Sequence, residues 1–201
     1  MKEQSLQSGF TLVELLVSLA LFTIVVVAAV GSLYTINQAS VKVNAMRTVL
    51  DNLNFATESM SRTIRTGSDI VCGGVSNLNQ SQPNCPFGNS NGPAQEISFL
   101  STLAGSTGGL DYRRVPTPGS STGAHEIQKC TVQNGTLLNC VAVTAPEMDV
   151  TQLFFFVAGT GTNDGQQPSV TMIIQGIASA GSGNLAPFAV QTFISQRAAE
   201  Q

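Results

Sequence analysis

The chain has 201 residues and a formal net charge of −3, with 10% of its residues charged and 42% hydrophobic. That balance excludes the basic field of a nucleic-acid-binding protein and the charge-rich, apolar-poor composition of a disordered one. With four cysteines, no CxxC pair and one histidine, it also argues against a zinc site.

In chain order, a short polar leader, MKEQSLQSG, precedes the stretch FTLVELLVSLALFTIVVVAAVGSLYTI, and from Leu15 to Ile36 nothing carries a charge. Twenty-two helical residues rise about 33 Å, enough for a hydrocarbon core about 30 Å thick. The run is longer than the apolar core of a secretory signal peptide, and the polar leader sits before it. One ionisable group, Glu14, lies near its start. A carboxylate within a membrane helix costs roughly 2.5 kcal/mol or more, so it calls for a partner or a purpose.

After Ile36 the pattern becomes amphipathic. Met46, Val49, Leu50, Leu53, Ala56, Met60 and Ile64 fall within one arc of about 120°, and Arg47, Asp51, Glu58, Arg62 and Arg65 gather on the other side. Arg47–Asp51 and Glu58–Arg62 are i,i+4 pairs. No proline precedes Pro83, so one helix is expected from Phe10 to Thr66, ended by Gly67. Its lone interior glycine, Gly31, suits either close backbone approach or a lipid-packed helix that tolerates it.

Turn formers dominate residues 67–95, which reads as an irregular loop closed by a Cys72–Cys85 bridge. Such a bridge contributes about 3 kcal/mol in the chain-entropy model. Strands are expected at Glu96–Thr102, Gly109–Val115, His125–Gln133, Thr136–Val143, Val150–Val157, Ser169–Ala178 and Phe188–Ser195, forming one antiparallel sheet against the amphipathic helix. Asn134-Gly135 marks a hairpin. A strict two-residue turn there sets Cys130 opposite Asn139, whereas a three-residue loop or a bulge brings Cys130 and Cys140 together. A Cys130–Cys140 bridge is the expectation. An even cysteine count in an exported head agrees with two disulfides.

No motif carries catalysis. Gly119-Ser120-Ser121-Thr122-Gly123 fits G-x-S-x-G, but Pro116 and Pro118 precede it, and His125 follows Ser121 with no acid between. The expectation is no enzyme and no cofactor. Asn163-Asp164-Gly165 offers a few oxygens to Ca²⁺, but a turn accounts for it better. Arg113 and Arg114 are adjacent on a strand and point to opposite faces, so they make no nucleic-acid patch.

The ordered set of polar leader, Gly9, Phe10-Thr11-Leu12, Glu14 and immediate apolar helix resembles the prepilin leader of type IV pilins and type II secretion pseudopilins. The resemblance implies an α+β, pilin-like fold: leader peptide 1–9, membrane or filament-core helix 10–36, amphipathic helix 37–66 and disulfide-stapled β-rich head 67–201. It implies cleavage between Gly9 and Phe10 by prepilin peptidase, N-methylation of Phe10, and assembly guided by Glu14. The implied partners are other pilins or pseudopilins, the assembly platform and the cytoplasmic membrane, with the head outside the cytoplasm. The junction Glu58–Gly67 and the closing Phe193-Ile-Ser-Gln-Arg197 look like minor pilins of the W type and pseudopilins of the J type. The competing expectation is a single-pass, membrane-anchored binding module that does not polymerise.

Overall fold

Helix α1 (Leu12–Arg65) is the first element of the computed structural model, which describes residues 9–74, 94–101, 108–121, 123–160, 165–179 and 185–197. Eight strands follow: β1 (Ser68–Cys72), β2 (Glu96–Leu100), β3 (Gly109–Pro116), β4 (His125–Gln133), β5 (Thr136–Ala142), β6 (Met148–Ala158), β7 (Ser169–Ser179) and β8 (Leu185–Ser195). The architecture is α+β, a long amino-terminal helix plus antiparallel sheets, as in pilins. Two compact units divide the chain, Met1–Asn44 and Ala45–Gln201.

In the first unit α1 is apolar on every side, and its large side chains from Leu12 to Ile36 are exposed. A helix that is hydrophobic all round belongs in apolar surroundings, and this one is long and apolar enough to cross a membrane. Three of its hydroxyls find partners within the helix. Ser18 donates to the Glu14 carbonyl (2.8 Å), Thr23 to Ala20 (2.8 Å) and Thr35 to Gly31 (2.9 Å), so these three polar groups are satisfied within the helix.

In the second unit the amphipathic arc packs inward. Val49, Leu53, Ala56, Met60 and Ile64 are buried. Four of them share one core with Ile97, Phe99, Leu110, Tyr112 and Ile127 and with β6–β8 residues such as Phe155 and Met172. Leu50 stays 43% exposed, because it lies at the rim of the arc, about 60° from Leu53. Glu58 and Arg62 pair at 3.3 Å, both exposed, which is worth little. Arg47 and Asp51 make no ion pair among the described residues. The Tyr112 hydroxyl meets Thr63 Oγ1 at 2.7 Å inside the core, tying α1 to β3. Burial raises the Tyr112 pKa above its ordinary value, and the Thr63 hydrogen bond only partly opposes that.

The strands form two sheets, β1-β2-β3-β4-β5 and β6-β7-β8, rather than the single sheet expected. A turn through Pro146, closed by the Met148 N–H on the Ala145 carbonyl (3.0 Å), breaks the ladder between β5 and β6. Proline cannot extend a ladder. The loop expected over residues 67–95 begins instead with β1, whose Ile70, Val71 and Cys72 are buried. A short apolar triplet among turn formers gave too little periodicity to read. Within β6 the register shifts between Val150 and Gln152, so Val150 and Leu153 both face the core, as a bulge allows.

Asn134 and Gly135 take φ of 50° and 73°, a two-residue turn of the kind hairpins favour. The register then shifts on β5, where Asn139 has φ 48°, and this bulge brings Cys130 and Cys140 into a disulfide. Cys72 is also disulfide-bonded. Cys85, its expected partner, lies outside the described residues, as does Asp164.

Gly67 ends the helix for a reason other than a left-handed φ, which it does not adopt. A Cβ there would run into the Phe99 ring. The carbonyls at the helix end are closed by the residues just after β8: Gln196 Nε2 donates to Ile64 O (3.2 Å) and Gly67 O (2.8 Å), and Arg197 N–H to Arg65 O (3.0 Å). Gln196→Leu takes this donor from the Gly67 carbonyl and leaves Ile64 O with the Gly67 N–H (3.2 Å), and is expected to destabilise the second unit by about 2 kcal/mol. Urea unfolding of the detergent-solubilised chain checks it.

Candidate functional site

The candidate site is the amino-terminal end of α1. Gly9 and Phe10 precede the helix, outside any helix or strand, and Phe10 is 83% exposed. A peptide bond outside a helix, with both flanking residues open, is what a protease needs to grip it.

The helix begins at Leu12 rather than Phe10, because Thr11 caps it. The Glu14 N–H donates to Thr11 Oγ1 (3.3 Å) and the Leu15 N–H to the Thr11 carbonyl (3.2 Å). Thr11-Leu12-Val13-Glu14 has the T-x-x-E spacing of a capping box, a mark of the helix start that hydropathy does not carry. The cap fixes where the helix starts, so Glu14 falls in its first turn. There a carboxylate faces the positive end of the helix dipole.

Among the described residues nothing pairs with the Glu14 side chain: its recorded hydrogen bonds use its backbone only. The acid is exposed on an otherwise apolar helix. In a low-dielectric setting such a group is a strong acceptor for a cation or donor supplied from outside the chain. Gly31 has open space where a Cβ would stand, so nothing within this chain requires glycine there.

The other singled-out residues lie elsewhere and do not converge. Asp111, fully buried, accepts from Ser98 Oγ (2.6 Å) and Arg113 Nε (2.6 Å), and Arg113 also pairs with Glu96 at 3.3 Å. Burial works to lower the Arg113 pKa, but the hydrogen bond and charge of Asp111, then Glu96, outweigh it and raise it above its ordinary value. Arg114 donates from Nε to the Val150 carbonyl (2.7 Å). The two arginines are thus occupied separately. Ser121 lies in the turn between β3 and β4, where Gly119 and Gly123 take φ of 76° and 71°. A strand, not a helix, follows it, which is not the setting of a nucleophile elbow. His125 donates its backbone N–H to Asp149 Oδ1 (2.9 Å).

No curated protein and no solved structure matches the chain. Residues 4–30 match the family model described as the Prokaryotic N-terminal methylation motif. The matched segment takes in Gly9, Phe10, Thr11 and Glu14 and most of the apolar run. It marks the amino-terminal end of the chain as similar to the prepilin-type signal of type IV pilins and pseudopilins.

Proposed function

We propose that the chain is a minor pilin or pseudopilin, a structural subunit assembled into, or at the tip of, a type IV pilus or type II secretion pseudopilus. Prepilin peptidase cuts between Gly9 and Phe10, and the new Phe10 amine is methylated. Before assembly the apolar half of α1 spans the cytoplasmic membrane, with the second unit outside the cytoplasm. The mechanism is assembly rather than catalysis. The amine of one subunit neutralises Glu14 of its neighbour, while apolar helix surfaces pack side by side.

One observation carries this reading: an unpartnered carboxylate in the first turn of a capped, all-round apolar helix, four residues after an exposed Gly-Phe bond. A plain anchor has no use for that acid, and its insertion cost would select against it. Co-expression with prepilin peptidase, followed by intact mass measurement with and without reduction, tests the proposal. The expected product starts at a methylated Phe10 and keeps its disulfides. A chain still starting at Met1 would overturn it in favour of the anchored binding module.

A further inference from the structure

We propose that Thr11 is a positioning residue for leader cleavage: its cap keeps the Gly9 carbonyl, the one attacked in the cut, out of the hydrogen-bond ladder of α1. The inference rests on the processing set out under the proposed function and gives a part in it to a residue outside the bond that breaks. The first helical bond runs from the Leu15 N–H to the Thr11 carbonyl (3.2 Å), and the Glu14 N–H is taken by Thr11 Oγ1 (3.3 Å). Among the described residues neither Gly9 nor Phe10 accepts a backbone hydrogen bond at its carbonyl.

Without the cap the ladder has room to grow. No proline precedes Pro83, and glycine is an accepted N-cap, so a helix longer by two residues would start at Phe10 with Gly9 as its cap. In that helix the Glu14 N–H donates to the Phe10 carbonyl and the Val13 N–H to the Gly9 carbonyl, as the i→i−4 pattern dictates. Each residue added to a formed helix brings one more bond. Apolar surroundings favour the extension further, because no water is there to satisfy free N–H groups.

The two forms differ at the reacting atoms. Hydrolysis adds water to the Gly9 carbonyl carbon and breaks its bond to the Phe10 nitrogen, leaving a Gly9 carboxylate and a Phe10 amine. A carbonyl that accepts from Val13 points down the helix axis, away from the donors and the water that a peptidase must bring to it. In the structure Gly9 and Phe10 lie outside any helix or strand and are exposed, the form that an active site engages. Only that form reacts, so the rate follows its population. Loss of a threonine cap moves such a balance by about fivefold.

The test follows cleavage of the full chain by prepilin peptidase in proteoliposomes, read by intact mass at limiting substrate. Thr11→Ala is expected to slow the cut by about fivefold, whereas Thr11→Asn, which caps without a hydroxyl, is expected to run near the wild-type rate. In bicelles without peptidase, the carbonyl ¹³C shifts of Gly9 and Phe10 are expected to move toward helical values in Thr11→Ala and to stay in place in Thr11→Asn. Equal rates for Thr11→Ala and wild type, or carbonyl shifts unmoved by Thr11→Ala, would overturn this inference and leave the proposed function standing. So would Thr11→Asn as slow as Thr11→Ala, since the peptidase would then be reading the hydroxyl itself. A wild-type chain left whole would overturn both.

Discussion

Glu14→Leu is expected to leave leader cleavage and the folding of the second unit intact while reducing incorporation into filaments by about a hundredfold. The asymmetry follows from where the residue sits. Among the described residues its carboxylate has no hydrogen-bond or ion-pair partner, so no such bond to them is lost, and removal of a charge makes insertion of α1 easier. The loss falls on the contact between subunits. There an amine sheltered in an apolar helix bundle would face no counter-charge, and breaking one side of a buried ion pair is far more damaging than never building it. Glu14→Gln, which keeps shape but not charge, is expected to fail nearly as badly. The measurement is the fraction of processed protein recovered in sheared filaments or pseudopili from cells with the cognate assembly platform. Incorporation at the wild-type level would remove the proposed role of Glu14.

The second large effect is on stability. Asp111→Ala is expected to destabilise the second unit by about 3 kcal/mol. The wild-type carboxylate is fully buried and satisfies Ser98 and Arg113 together. Its removal leaves a buried hydroxyl without its acceptor and a guanidinium held only by Glu96 at 3.3 Å. Arg113→Met added to Asp111→Ala is expected to recover part of the loss, since the stranded charge goes with it, and the double-mutant cycle reads that coupling directly. Urea unfolding with the disulfides intact gives both numbers. A change below about 0.5 kcal/mol for Asp111→Ala would mean that solvent reaches the site and replaces the lost bonds.

Much of this was legible in the sequence where one period dominates. The uncharged run from Leu15 to Ile36 and the arc from Val49 to Ile64 each repeat one rule over many residues, so α1 could be placed to within two residues at its start. Its true start was also written there, in Thr11 and Glu14 at capping-box spacing, but a side-chain hydrogen bond to the backbone leaves no mark on hydropathy. The later strands were found because alternation and Asn134-Gly135 punctuate them. β1 was not, because three apolar residues among glycines and serines make no period. The division into two sheets was hidden for another reason: it depends on one proline turn and on a bulge at Thr151 that changes which side chains of β6 face inward. At the candidate site, residue types and order were readable, whereas the lack of a partner for the Glu14 side chain among the described residues depends on where the chain folds.

The closure of α1 by Gln196 and Arg197 has a consequence for how the protein is made. The acceptor Ile64 O and the donor Gln196 stand 132 residues apart, so the first element synthesised is sealed by one translated much later. An emerging chain leaves that part of its helix end unsealed until the distant segment has been made. Chains interrupted before Gln196 would leave the Arg65 and Gly67 carbonyls without these donors beside an incomplete core, a form that proteases can cut. Proteolysis would thus remove unfinished chains before the second unit is complete.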